Sequence, residues 1–279
     1  MQTISRRQFV GGSALAIGAA GLKADALGMP LGCQLYPVGK MLAQDFDGTL
    51  KQLAAAGYRM VELCSPPSYE KAGFAPLVGL KAAEVKEKFK AAGLGCVSCH
   101  YGFRELKENL DDRIAYAKEL GLTQMILATF GLKPDATMSD WARAAGELNP
   151  IAEKIKKAGI QAGFHNHHNE FKEIDGVLIY DRLMSELDGK LVKMQFQVAV
   201  ISAGYKASTY LKKYPGRFIS LHLADWSATD KKTVAIGAGD VDWKELFAAA
   251  KKGGVKNYFV EMNLDLMKAS VGYLKGLKG

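Results

Sequence analysis

Short apolar runs alternate with longer amphipathic stretches from Leu31 to the carboxyl end of the chain. The runs Leu31–Tyr36, Arg59–Cys64, Leu94–His100, Gln124–Ala128, Ile160–His165, Val192–Val198, Phe218–Ala224 and Lys256–Glu261 have strand length. They read as strands of a sheet covered on both faces. Between them lie stretches with helical spacing of apolar residues: Phe46–Ala56, Ala82–Ala92, Leu106–Leu120, Trp141–Ala158, Tyr180–Leu187, Ala207–Tyr214, Trp243–Lys252 and Leu266–Leu277. Gly57, Gly93, Gly121, Gly159 and Gly254 each stand between such a stretch and the next apolar run, where a helix closes in the left-handed conformation. Eight strand–helix units in this length predict a single closed (β/α)8 TIM barrel of the α/β class. An open doubly wound sheet would bring a glycine-rich phosphate loop after its first strand, and Gln34-Leu35-Tyr36-Pro37-Val38 is no such loop.

The first residues stand outside this rhythm. Ser5-Arg6-Arg7-Gln8-Phe9-Val10 has the form of a twin-arginine export signal, and the apolar run Gly11–Leu22 after it is too short to remain as a membrane span. Ala24-Asp25-Ala26 fits the small-x-small pattern of a cleavage site. Residues 1–26 are therefore expected to be a signal peptide and residues 27–279 the barrel domain. The twin-arginine machinery would export it already folded, to the periplasm or another extracytoplasmic space. An uncleaved amino-terminal anchor is the alternative. The net charge of +8 comes from Lys and Arg spread beside acids along helices, such as Lys81–Lys90, which describes a solvated surface and not a nucleic-acid stripe. Cys33, Cys64, Cys96 and Cys99 are expected as free, buried thiols, because Cys96 and Cys99 on one strand point to opposite faces.

Chemistry-bearing residues collect at the carboxyl ends of the strands, where a barrel places its active site. Glu62 ends the second, His100 the third, His165 with His167 the fifth, Gln197 the sixth, His222 the seventh and Glu261 the eighth. Asp225 and Asn263 follow just beyond the last two. Four of the five histidines fall at such ends, a concentration that hydrogen-bonded structural histidines do not account for.

Gly163-Phe164-His165-Asn166-His167, Leu221-His222-Leu223-Ala224-Asp225-Trp226, Gly237-Ala238-Gly239-Asp240-Val241-Asp242-Trp243 and Tyr258-Phe259-Val260-Glu261 together resemble the sugar phosphate isomerase/epimerase family with a xylose-isomerase-like barrel. The resemblance covers nearly all of the chain after the signal. It implies one divalent metal ion (manganese, cobalt, zinc or magnesium) and a carbohydrate or cyclitol substrate. The ligand positions it carries over are His165, Gln197, His222 and Glu261. Relatives usually have Asp where Gln197 stands and Gln-Asp where Met262-Asn263 stands, so this mouth has lost negative charge, which lowers metal affinity or shifts preference toward zinc, cobalt or nickel.

The implied chemistry is removal of a proton next to a carbonyl through a metal-stabilised enediolate. Glu261 would act as ligand and base, with Glu62 or His167 as the second acid/base group. His100, Glu170, Asp225, Trp226 and Asn263 are the expected substrate contacts. The expected function is an exported isomerase or epimerase acting on a non-phosphorylated sugar, keto-sugar or cyclitol, since sugar phosphates are mainly cytoplasmic. A lyase or dehydratase acting on a 3-keto-glycoside or inosose would use the same site. A carbohydrate-binding barrel without its metal is the non-enzymatic alternative, and Gln197 is the feature that favours it. Apurinic endonucleases that share the barrel need three metals, which five histidines cannot easily supply here.

Overall fold

The computed structural model describes residues 28–277, so the expected signal peptide lies outside the described residues. Eight parallel strands close into a barrel: β1 (Gly32–Gln34), β2 (Met60–Cys64), β3 (Gly95–Gly102), β4 (Gln124–Thr129), β5 (Gln161–His165), β6 (Val192–Gln197), β7 (Phe218–Leu223) and β8 (Asn257–Val260). Neighbours follow chain order and β1 pairs with both β2 and β8. Every strand begins and ends within two residues of its sequence expectation. Outward residues such as Val61, Leu63, Phe164, Phe196 and Leu221 are fully buried beneath the helices.

Helices cover the barrel as the pattern predicts. Asp45 caps Phe46–Ala56 by accepting from Gly48 N at 2.8 Å, and Gly57 closes it at φ +119°. The stretch expected as one helix over Leu106–Leu120 is two, Phe103–Glu108 and Leu110–Leu120. The break at Asn109 lets buried Glu105 accept from Ser65 Oγ at 2.6 Å and Ser68 Oγ at 2.7 Å, tying the β3 helix to the loop after β2. Two antiparallel ribbons sit on loops at the mouth, Glu173–Ile174 with Val177–Leu178 and Asp225–Ser227 with Lys232–Val234. All four thiols are free; Cys96 is half-buried and the other three buried. No helix among the described residues is long and apolar enough to cross a membrane.

Two bulges set which side chains enter the barrel. Val61 pairs with Cys96 but Glu62 pairs with Ser98, so Val97 is the extra residue on β3. Met194 pairs with Phe218 but Gln195 with Ser220, so Ile219 is the extra residue on β7. A one-residue slip exchanges the faces of a strand. Each bulge therefore turns a polar pair inward, Ser98 with His100 and Ser220 with His222.

Candidate active site

The bulges, together with alternation on the other strands, place a polar stack inside the barrel. At its centre is Glu62, fully buried. One carboxylate oxygen accepts from Ser98 Oγ at 2.6 Å and Gln195 Nε2 at 2.8 Å. The other accepts from Gln34 Nε2 at 2.7 Å and His222 Nε2 at 2.5 Å, with His100 Nε2 at 3.2 Å. Burial alone would raise its pKa, but the neighbouring imidazoles of His100 and His222 and these hydrogen bonds bring it down to about 2. A carboxylate so saturated is a weak proton acceptor. Its surroundings suit Glu62 to orienting His222 and His100.

His222 bridges two carboxylates, its Nδ1 lying 3.0 Å from Glu261 Oε2. Burial works against its charged form, yet Glu261 and Glu62 push its pKa up to about 10. Gln197 Nε2 donates a short hydrogen bond to the same Glu261 oxygen, while Gln197 Oε1 accepts from Ala199 N at 3.2 Å. Glu261 keeps 18% of its side-chain surface exposed against 0% for His222, so it is the acid that reaches the mouth.

His165 is fully buried, and neither ring nitrogen has a partner in hydrogen-bonding geometry. Burial and the imidazoles of His222, His167 and His100 hold its pKa well below the usual range, so it stays neutral with a lone pair to offer. Such an orphan is costly unless something binds it. Its ring lies 4.3 Å from that of His222, 5.0 Å from His100 and 4.7 Å from His167, centroid to centroid. One ring nitrogen from each of His100, His165 and His222 lies within 4.8 Å of the others. Three buried imidazoles flanked by carboxylates suit a divalent ion.

The remaining expected contacts separate. His167 is exposed at the mouth. Glu170 is buried and accepts from His167 N at 2.7 Å, which holds the histidine loop. His100 is 5% exposed and faces Gln195 Oε1 at 2.6 Å inside the stack. Asp225 accepts from Trp226, Gly237, Gly239 and Val241 N and from Trp243 Nε1, which commits its oxygens to the loop after β7. Asn263 caps the last helix through Leu266 N at 3.0 Å and faces solvent. Trp226 is half-buried in the ribbon at the rim. The sequence reading passed over Gln34, Ser98, Gln195 and Asn166. Ser98 and Gln195 stand two residues before His100 and Gln197, and that period marks them as sharing the inner face.

A closed parallel barrel with its histidines and acids gathered at the carboxyl ends of its strands is the architecture of a barrel enzyme. The chain belongs to the xylose isomerase-like TIM barrel family, whose sequence pattern matches residues 50–275. No curated protein matches the sequence. Among solved structures, it is similar to a sugar phosphate isomerase/epimerase from Parabacteroides distasonis ATCC 8503, with 24% identity, a TM-score of 0.74 and coverage of 93% of this chain and 96% of the other. It is similar also to the probable 3-DHS dehydratase AsbF of Bacillus anthracis, with 12% identity, TM-score 0.66 and coverage of 88% and 98%. A third is the IOLI protein with a bound zinc atom, with 13% identity, TM-score 0.62 and coverage of 89% and 96%. At these identities the structures establish the shared fold.

Proposed function

We propose that this chain is an exported, divalent-metal-dependent enzyme of the sugar isomerase/epimerase kind, acting on a non-phosphorylated sugar, keto-sugar or cyclitol. The observation that carries the reading is His165, a neutral buried imidazole with both nitrogens unpartnered among His100, His222 and Glu261. The likeness to an isomerase/epimerase and to a zinc-containing barrel supports it, and Arg6-Arg7 supports export. His165 and His222 would hold the ion, with His100, Glu261 and Gln197 as the further donors at hand. Manganese, cobalt, zinc or magnesium would supply Lewis-acid polarisation of the substrate carbonyl.

The protein's own residues then divide the work. Glu261, at the open end, takes the proton from the carbon beside the carbonyl. His167, on the β5 loop beside it, is the second acid/base group for isomerisation or epimerisation. Glu62 and Gln195 hold the imidazoles fixed below them. If a leaving group sits one carbon further on, the same proton removal ends in elimination, the reading favoured by the likeness to a dehydratase. The test is NMR in heavy water of keto-sugars, inososes and 3-keto-glycosides with protein loaded in turn with each metal. Deuterium entering beside the carbonyl with inverted or isomerised product is expected; an unsaturated product would identify the lyase. Binding of sugar without exchange under every metal would replace the enzyme reading with a carbohydrate-binding barrel.

A further inference from the structure

We infer that in this chain the metal is held by three imidazoles, His100, His165 and His222, and that Gln197 is not a ligand but the residue that holds Glu261. This rests on the metal-dependent reading above and settles which side chains complete the site. The hydrogen-bond network fixes the donors. Gln195 Nε2 faces Glu62 Oε1 at 2.8 Å and Ser220 Oγ at 2.9 Å, and an ionised carboxylate only accepts. Gln195 therefore presents Oε1 to His100 Nε2 at 2.6 Å, which places the proton of His100 on Nε2 and leaves the lone pair on Nδ1. Glu62 takes Nε2–H of His222 in the same way, at 2.5 Å, backing that ring as carboxylates back metal-bound histidines. His165 has both nitrogens without a partner.

Gln197 is anchored against ligation. Its Oε1 accepts from Ala199 N at 3.2 Å, its Nε2 donates to Glu261 Oε2, and its backbone N donates to Asn166 Oδ1 at 3.2 Å. Turning the amide to offer Oε1 to a cation would set its NH2 against the Ala199 N–H and break the bond to Glu261. Replacement of a carboxylate by an amide at strand β6 thus comes with a new donor from β3, and with the metal bound Glu261 is held at the mouth by Gln197. A three-imidazole set favours zinc, cobalt or nickel over magnesium and manganese.

Metal titration of the stripped protein tests this independently of turnover. Zn2+ is expected to bind the parent one to one and much more tightly than Mn2+. His100→Ala and His165→Ala are each expected to lower Zn2+ affinity by at least about 100-fold, with Gln197→Ala within about 3-fold of the parent. Should the histidine variants misfold, the Co2+-loaded parent serves alone: three hyperfine-shifted imidazole N–H resonances are expected, and two would overturn the assignment. A large loss in Gln197→Ala with affinity retained in His100→Ala would also overturn it, returning the site to the Gln197 and Glu261 side. A parent that binds none of these metals would overturn the metal-dependent reading itself, a result distinguishable from either of those.

Discussion

Glu62 sits where its surroundings predict a positioning role. Four donors converge on its two oxygens: Gln34, Ser98, Gln195 and His222. Glutamine in its place offers one acceptor and turns an NH2 toward two of those donors. Glu62→Gln is expected to lose about 3–5 kcal/mol of stability, read from urea unfolding midpoints, along with most activity. A true catalytic base would behave differently, with activity abolished and stability intact. Glu261→Gln should come nearer that second pattern, about a 1,000-fold loss of exchange with a smaller fall in unfolding midpoint than Glu62→Gln. His165, His222 and Glu261 were legible in the sequence because each ends a strand. Gln34, Ser98 and Gln195 were not, since a lone Ser or Gln inside an apolar run looks like an ordinary interruption until its partners on other strands are known.

At the scale of elements, apolar runs and glycine closures gave all eight strands and the covering helices, because both signals are local. The bulges at Val97 and Ile219 were invisible, since an apolar bulge residue continues the run it interrupts. The loop after β7 shows how one residue can organise a segment. Asp225 gathers donors from Trp226 through Trp243, and beside it Gly239 has no room for a Cβ, which would lie 2.4 Å from Asp225 Oδ1. Asp225→Ala would leave buried donors unmet, and a loss of about 3 kcal/mol is expected. Because the ribbon Asp225–Ser227 with Lys232–Val234 depends on this carboxylate, native-state hydrogen exchange should quicken there first and leave β7 itself protected. If Asp225 instead touched substrate, the variant would raise KM with the exchange pattern unchanged.

For the whole molecule, the buried charges at the barrel's centre couple stability to pH. His222 has its pKa pushed up from 6.5 to about 10 by Glu261 and Glu62, against the effect of burial. Its contribution in the metal-stripped protein is complete below pH 6.5 and disappears as pH rises toward 10. Glu62, lowered from 4.5 to about 2, contributes fully above pH 4.5 and loses that contribution as pH falls toward 2. His165, held well below 6.5 by burial and its neighbouring imidazoles, works the other way and costs stability as pH falls below 6.5. Stripped protein is therefore expected to be most stable at about pH 6.5, with a steady fall on the alkaline side that His222→Gln flattens. Zinc should act in the opposite sense, because a ligating imidazole must shed its proton and binding tightens as pH rises. Urea midpoints of stripped and zinc-loaded protein should diverge from pH 6.5 to 9. Parallel curves would mean that His222 neither carries the proton in one form nor holds the metal in the other.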